Sequence, residues 1–157
     1  MDKIATEYLF EIALAVGAPA VIGAVTGGER RVVPILGGMF SGPRLSGKVL
    51  PIGEDALLIE PSQGHMGGRT RLDVRIVLET DDGAAIYAQY RGLRTGPAEV
   101  MAQLAAGAEV DPAAYYFRTA LTFETGAARY SWLNDLLAIG IGRRPPSGPV
   151  YRVFAVL

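Results

Sequence analysis

The chain of 157 residues contains no cysteine and a single histidine, His65. Without cysteine it cannot form disulfides, cysteine-ligated zinc sites or a thiolate nucleophile. A metal site would need several convergent histidines or carboxylates, and one histidine in a glycine-rich loop is more typical of a surface residue. We therefore expect no bound metal and no cofactor. The absence of cysteine also fits a cytoplasmic protein, which is the location we expect.

The chain has almost no net charge, since 15 lysines and arginines face 16 aspartates and glutamates. Such a balance offers no long-range attraction for phosphate backbones, so nucleic acid is not an expected partner. The apolar stretch from Leu9 to Val25 contains Glu11. Because Gly17 and Pro19 also interrupt it, we expect neither a signal peptide nor a membrane span.

Glycine and hydrophobic residues are abundant instead. The 20 glycines and 10 prolines suit tight turns between short strands, and a hydrophobic content of 50% suits a packed core. A chain of this length is most simply one domain, residues 1–157, that buries most of its apolar surface.

Two alternating runs joined by Asp81-Asp82-Gly83 predict a central β-hairpin. A two-residue turn would set Val74 opposite Arg91. A three-residue turn, with its glycine in the left-handed conformation, sets Val74 opposite Tyr90 instead. Only the second register separates apolar from polar residues and pairs Asp73 with Arg91. We therefore predict the three-residue turn.

The remaining alternation and turn signals predict further strands and one helix. The helix begins near Pro97 and ends at Gly107, and a tight turn is expected at Ser41-Gly42-Pro43. The expected strands are Thr6–Val16, Val21–Thr26, Arg31–Ile35, Ala56–Ile59, Tyr115–Thr125, Tyr130–Ile141 and Val150–Leu157. These elements indicate an all-β fold of about 8–10 antiparallel strands with one short capping helix, either a barrel or a sandwich.

One face of the hairpin and two later segments carry the polar residues that could form a site. They are Asp73, Arg75, Tyr87, Gln89, Arg91, Arg118, Glu124, Trp132 and Asn134. Two interpretations stay open. The face could be solvated, with surface ion pairs worth about 0–1 kcal/mol. Alternatively, the residues line a ligand cavity inside a barrel too wide for side chains to fill.

In the cavity interpretation the carboxylates are the candidate catalytic groups. Glu124 is the preferred general base, because Arg91 would hold Asp73 in an ion pair. Arg75, Arg91 or Arg118 would hold a developing oxyanion. The candidate binding residues are Arg75, Tyr87, Arg91, Arg118, Trp132 and Asn134. Aromatic rings beside arginines suit a small ligand with an apolar body and an acidic or carbonyl end.

Several short motifs together resemble a known family. They are G-G-x-F-x-G-P-x-L-x-G-x-V-L-P at Gly37–Pro51, T-D-D-G-A at Thr80–Ala84, Y-F-R at Tyr116–Arg118, F-E-T at Phe123–Thr125 and Y-x-W-L-N at Tyr130–Asn134. From about Tyr8 to Val156 the chain resembles the bacterial and fungal family called domain of unknown function 3237. The resemblance implies a closed antiparallel β-barrel, and that some members are cofactor-free ring-forming enzymes in natural-product pathways.

The chain departs from this family at one place. The family usually continues L-P-G-G-x-D-W, whereas this chain has L-P-I-G-E-D-A at Leu50–Ala56 and so lacks an aromatic side chain. Two main functions are consistent with the residues: a cofactor-independent cyclase, isomerase or lyase, or a lipocalin-like carrier. A structural oligomer would follow from a solvated polar face. The expected partner is a small molecule, and the sequence leaves a homo-oligomer open.

Overall fold

A computed structural model describes residues 2–62 and 67–157. Its strands are β1 Thr6–Val16, β2 Ala20–Val25, β3 Gly28–Ser41, β4 Ser46–Ile59, β5 Thr70–Thr80, β6 Ala85–Thr95, β7 Tyr116–Glu124, β8 Ala138–Arg143 and β9 Val150–Val156. The helix α1 spans Ala98–Ala105, and 3₁₀ helices occupy Pro112–Ala114 and Ala128–Asp135. In the described ranges no helix is long and apolar enough to cross a membrane.

The strands form a closed antiparallel barrel. Each strand from β3 to β9 pairs with the next, β9 pairs with β1, and β1 pairs with β3. Eight strands therefore close on themselves, and β2 is an additional strand that pairs with the first half of β3. The predicted barrel with one short helix is confirmed. Closure leaves the eight barrel strands without a free edge, which protects them from pairing with another chain.

The central hairpin has the predicted register. Val74 lies opposite Tyr90, and the backbone N–H of Thr80 donates to the carbonyl of Ala84 over 2.9 Å. Gly83 adopts a positive φ of 88°, which a side chain would make costly. The three-residue turn is therefore confirmed, and it fixes which residues of β5 and β6 share a face.

Bulky apolar side chains fill the end of the barrel near this turn. The ring of Phe10 packs edge-on against Phe40 and Phe123, with centroids 5.5 and 6.1 Å apart. Leu78 and Ile86 are buried beside them. An eight-stranded barrel is just wide enough for side chains to fill it, so this end is a packed core.

Glycine bends strand β4 at the middle of the barrel. Between Val49 and Gly53, β4 advances four residues while β5 advances two, from Leu78 to Ile76. Gly53 has a φ of +112°, and a Cβ there would lie 2.0 Å from the carbonyl oxygen of Arg75. Glycine allows the bulge and the close approach of the two backbones.

The predicted strand Tyr130–Ile141 is wrong in its first half. Residues Ala128–Asp135 form a 3₁₀ helix, and β8 begins at Ala138. Tyr130 and Leu133 are the buried residues of this helix, and a spacing of three places them on one side of a 3₁₀ turn. Apolar and polar residues alternate in this segment as they would in a strand. The burial of Tyr130 and Leu133, three residues apart, fits the 3₁₀ helix instead.

Candidate functional site

The end of the barrel beneath α1 is hollow. A cavity of about 1100 Å³ lies there, slightly above the ~300–1,000 Å³ typical of ligand pockets. Glycines and alanines of β2, the β2–β3 turn and α1 form much of its lining, and they fill little space. Its larger apolar residues are Val16, Val33, Leu57, Ile59, Leu72, Met101, Leu104 and Phe117. The cavity can therefore accept a small molecule with an apolar body.

Asp55 lies in the wall of this cavity. It follows the glycine bulge of β4 and pairs with Val74, whose side chain is fully buried inside the barrel. Directly paired residues of antiparallel strands share a face, so the Asp55 side chain also points inward. Its exposed fraction is 9%, and in the described part of the chain its Oδ1 has no hydrogen-bond partner.

Burial raises the pKa of Asp55 from its ordinary value of 3.8 to about 7. A hydrogen bond from the backbone of Asp73 and the positive charges of Arg94 and Arg144 lower the pKa, but burial outweighs them. A carboxyl group with this pKa is partly protonated and partly ionised at neutral pH. It can therefore both accept and release a proton.

Two arginines face the same cavity. Arg94 is the inward residue near the end of β6, and its guanidinium lies 5.4 Å from the ring centre of Phe117. Arg144 follows β8, and its Nη1 donates to the carbonyl of Pro145 over 2.8 Å. Burial lowers the pKa of Arg94, and the like charge of Arg144 acts in the same direction. Among the described residues, neither arginine forms a salt bridge.

Hydroxyl groups complete the polar part of the interior. The rings of Tyr90 and Tyr151 pack edge-on with centroids 5.3 Å apart, and Tyr151 lines the cavity. Burial raises the pKa of both hydroxyls, so both stay protonated at neutral pH. The hydroxyls of Tyr90 and Thr119 are buried and have no partner in the described chain. Neither Tyr90 nor Thr119 lines the cavity, whereas Tyr151 does, and its hydroxyl can donate to a ligand there.

This arrangement can support proton transfer on a bound molecule. Asp55 supplies an acid–base group, Arg94 and Arg144 supply cations, and Tyr151 supplies a hydroxyl. General acid–base catalysis needs a group with a pKa near the working pH, and a developing oxyanion needs donors or positive charge close by.

The polar face of the hairpin points away from this cavity. Its residues alternate with Val74, Ile76 and Tyr90, which fill the interior, so they lie on the outer face of the barrel. Those concerned are Asp73, Arg75, Tyr87, Gln89 and Arg91, joined on β7 by Arg118 and Glu124. Of the two interpretations of this face, the one that places it inside the barrel is therefore wrong, because the apolar face of the hairpin takes the interior. A role in binding or catalysis stays a prediction for them.

The outer residues make contacts typical of a protein surface. Asp73 and Arg91 form a loose ion pair at 3.7 Å, with the arginine side chain 82% exposed. Tyr87 and Glu124 border a shallow groove with Asn134. The amide of Asn134 bonds the backbone of Thr125 from both its oxygen and its nitrogen.

Trp132, the last predicted site residue, and Arg118 both take part in cation–π contacts outside the barrel. The guanidinium of Arg44 lies 3.6 Å from the centre of the Trp132 ring. Arg118 lies 5.1 Å from the ring centre of Tyr116. Cation–π contacts of this kind satisfy these side chains without a ligand.

Metal-binding chemistry finds no support in the described residues. No three histidine, cysteine, aspartate or glutamate side chains among them approach one another as metal ligands would. The single histidine, His65, lies outside the described residues.

Comparison with known proteins places the chain in a family. The model of the family described as "Protein of unknown function (DUF3237)" matches residues 4–156. The chain belongs to this family. A UPF0311 protein of Rhodopseudomonas palustris, strain TIE-1, is 41% identical over 152 residues, covering 97% of this chain and 96% of the relative. A UPF0311 protein of Clostridium acetobutylicum is 36% identical over 151 residues, covering 96% and 92% of the two chains.

Solved structures of other proteins share the barrel. A conserved protein of unknown function from R. palustris is 38% identical, with a TM-score of 0.91 and full coverage of both chains. A β-barrel-like protein from Acinetobacter baumannii is 38% identical, with a TM-score of 0.84 and coverage of 100% and 98%. An enzyme from Penicillium herquei is 19% identical, with a TM-score of 0.74 and coverage of 100% and 97%, a likeness that shows the fold alone.

The inner residues Asp55, Arg94 and Arg144 were not predicted from the sequence, although two signals point to the first two. Asp55 is the aspartate of the L-P-G-G-x-D-W pattern, which this chain retains while losing the aromatic residue. Arg94 has the same parity along β6 as the buried Ile86 and Tyr90, so strict alternation places it on the inward face. Arg144 carries no comparable signal, because it lies beyond the end of β8.

Proposed function

We propose that the protein binds a small, partly apolar molecule with an acidic or carbonyl group in the barrel cavity and moves a proton on it without a cofactor. The observation that carries this proposal is Asp55, a carboxyl group buried in the wall of a cavity of about 1100 Å³ with one oxygen unpartnered among the described residues. The reaction class is that of a cyclase, isomerase or lyase acting on an enolisable compound.

The proposed step is balanced within the site. The ionised Asp55 takes a proton from a carbon next to a carbonyl group and becomes a neutral acid. The electron pair of the broken C–H bond moves to the carbonyl oxygen and forms an enolate, which Arg94 and Arg144 stabilise. The neutral acid then returns the proton to another atom of the same molecule.

A lipocalin-like carrier is the second candidate, and the size and apolar lining of the cavity favour it. A carrier would hold the same molecule without exchanging its protons. The two functions therefore differ in the fate of the proton rather than in binding.

The test measures proton exchange on enolisable ketones such as 2-tetralone and phenylacetone in D₂O by NMR. We expect exchange that depends on the protein and falls by about 10²–10⁴-fold in Asp55→Asn. Glu54→Gln is the matched control, because Glu54 precedes Asp55 on the outer face of β4. Exchange that is equal in the parent and in Asp55→Asn overturns the catalytic role. Ketone binding without exchange establishes the carrier.

A further inference from the structure

The charged residues of the cavity lining are unequally paired. Arg31 lies 3.1 Å from Glu29. Glu60 accepts hydrogen bonds from two arginines, Arg69 and Arg71, that point away from the cavity. These groups are already neutralised by partners at the rim. Of the charged lining residues described, Asp55, Arg94 and Arg144 are left to face the interior.

These three groups leave an excess of positive charge. Two guanidinium groups face one carboxyl group, and neither arginine has a salt-bridge partner in the described chain. The Nε of Arg94 is also buried and lacks a hydrogen-bond acceptor there. Buried charges and donors are costly unless they are paired. The cavity is therefore complementary to an anion.

The size of the excess positive charge in the cavity indicates how much negative charge the anion carries. When Asp55 is ionised, as a general base must be, two positive charges face one negative charge, so one positive charge is uncompensated. A single carboxylate group matches this excess, and the planar fork of arginine fits carboxylate oxygens. The rest of the lining, including Leu57, Met101 and Leu104, is apolar. A second charged group on the ligand would meet no partner there.

We propose that the ligand of this cavity is an apolar monocarboxylic acid whose carboxylate is held by Arg94 and Arg144. This inference rests on the proposed function and narrows its ligand to one chemical class. The apolar body of the acid lies against Leu57 and the inner side of α1, and Asp55 lies beside the carbons next to the carboxylate.

The experiment is isothermal titration calorimetry with three acids and their primary amides: 2-naphthoate, 4-phenylbutyrate and decanoate. Each amide keeps the shape of its acid but carries no charge. We expect at least one acid to bind about tenfold or more tightly than its amide. Arg94→Met and Arg144→Met should each remove most of this preference, and Arg94→Lys should retain part of it, because it keeps the charge but loses the fork.

Arg143→Met is the matched control, since Arg143 precedes Arg144 and points outward toward Glu11 at 3.5 Å. It should keep the full acid preference. The inference is overturned if no acid binds more tightly than its amide, or if Arg94→Met, Arg94→Lys and Arg144→Met all keep the preference. If the protein binds an acid more tightly than its amide but exchanges no protons, the proposed reaction is wrong and the ligand class stands. If it exchanges protons on ketones but binds no acid more tightly than its amide, the ligand class is wrong and the proposed reaction stands.

Discussion

Replacing Asp55 by asparagine should change how the stability of the barrel depends on pH. The folded-state pKa of Asp55 is about 7, against an ordinary value of 3.8. Folding therefore favours the protonated carboxyl group. Its contribution to stability is fully present below about pH 4 and is lost as the pH rises through 7, where the buried group must ionise. Asparagine has nearly the same shape and stays neutral, so it avoids this loss.

The size of the effect follows from the shift in pKa. Each unit corresponds to about 1.4 kcal/mol, so a shift of roughly three units corresponds to about 4 kcal/mol at full ionisation. We treat this as an upper value, since water entering the cavity would reduce the cost of the charge. The free energy of unfolding of Asp55→Asn relative to the parent should rise by about 1 kcal/mol per pH unit between pH 4 and 7. It should be constant above and below that range.

The assay is urea denaturation of both proteins from about pH 4 to pH 8, followed by circular dichroism. Comparing the two proteins cancels the titration of other groups, including Glu60 and Asp82, whose lowered pKa values act in the opposite direction at acid pH. NMR titration of the Asp55 carboxyl carbon provides an independent value. A stability difference that does not change with pH would refute the reasoning, because it would mean that Asp55 ionises at an ordinary pKa.

Two further predictions concern packing and the turn of the central hairpin. Gly142→Ala should destabilise the protein by about 1–3 kcal/mol in urea denaturation, because its Cβ would lie 2.6 Å from Cδ1 of the buried Phe117. Gly126→Ala, which meets nothing within 4 Å, should have little effect, and an equal loss in both would contradict the prediction. Tyr130→Phe removes a hydroxyl that donates to Asp82 over 2.9 Å. Hydrogen bonds from Thr80 and then from Tyr130 lower the pKa of Asp82, so without the tyrosine hydroxyl this pKa should rise part of the way toward 3.8 in an NMR titration. Asp82 should then contribute less stability at neutral pH and lose less of it as the pH falls, and an unchanged pKa would contradict this.

The central hairpin could be predicted from the sequence because its turn and register depend on residues close together in the chain. Gly83 fixes the turn, and the pairing of Val74 with Tyr90 follows from separating apolar from polar residues. Strands β3 and β4 were predicted too short, as Arg31–Ile35 and Ala56–Ile59, although the glycines between them were expected to allow bends or bulges on either side of the turn at Ser41-Gly42-Pro43. Bulges at these glycines keep β3 and β4 paired with their neighbouring strands. Such bulges depend on partner residues that are distant in sequence.

The same pattern could not decide which face of the hairpin is interior. Alternation separates two faces, but a barrel interior can be apolar and packed or polar and hollow. In this barrel the end around Phe10 is packed with apolar side chains, and the end around Asp55 contains the cavity. The site could not be assembled from sequence because Asp55, Arg94 and Tyr151 lie on β4, β6 and β9, and only closure of the barrel brings them into one cavity.

The position of Asp55 in the sheet explains why its chemistry can change without loss of the fold. On six successive strands it belongs to a row of paired inward residues, namely Asp55, Val74, Tyr90, Leu121, Ala138 and Ala155, and Val33 of β3 continues the row beyond Asp55. The other five members are apolar or aromatic and buried, so the row holds together through packing and backbone hydrogen bonds. Its carboxyl group adds an electrostatic cost to this row rather than a supporting contact. A buried carboxyl group that costs stability and faces a cavity is typical of a functional site rather than of a contact that supports the fold.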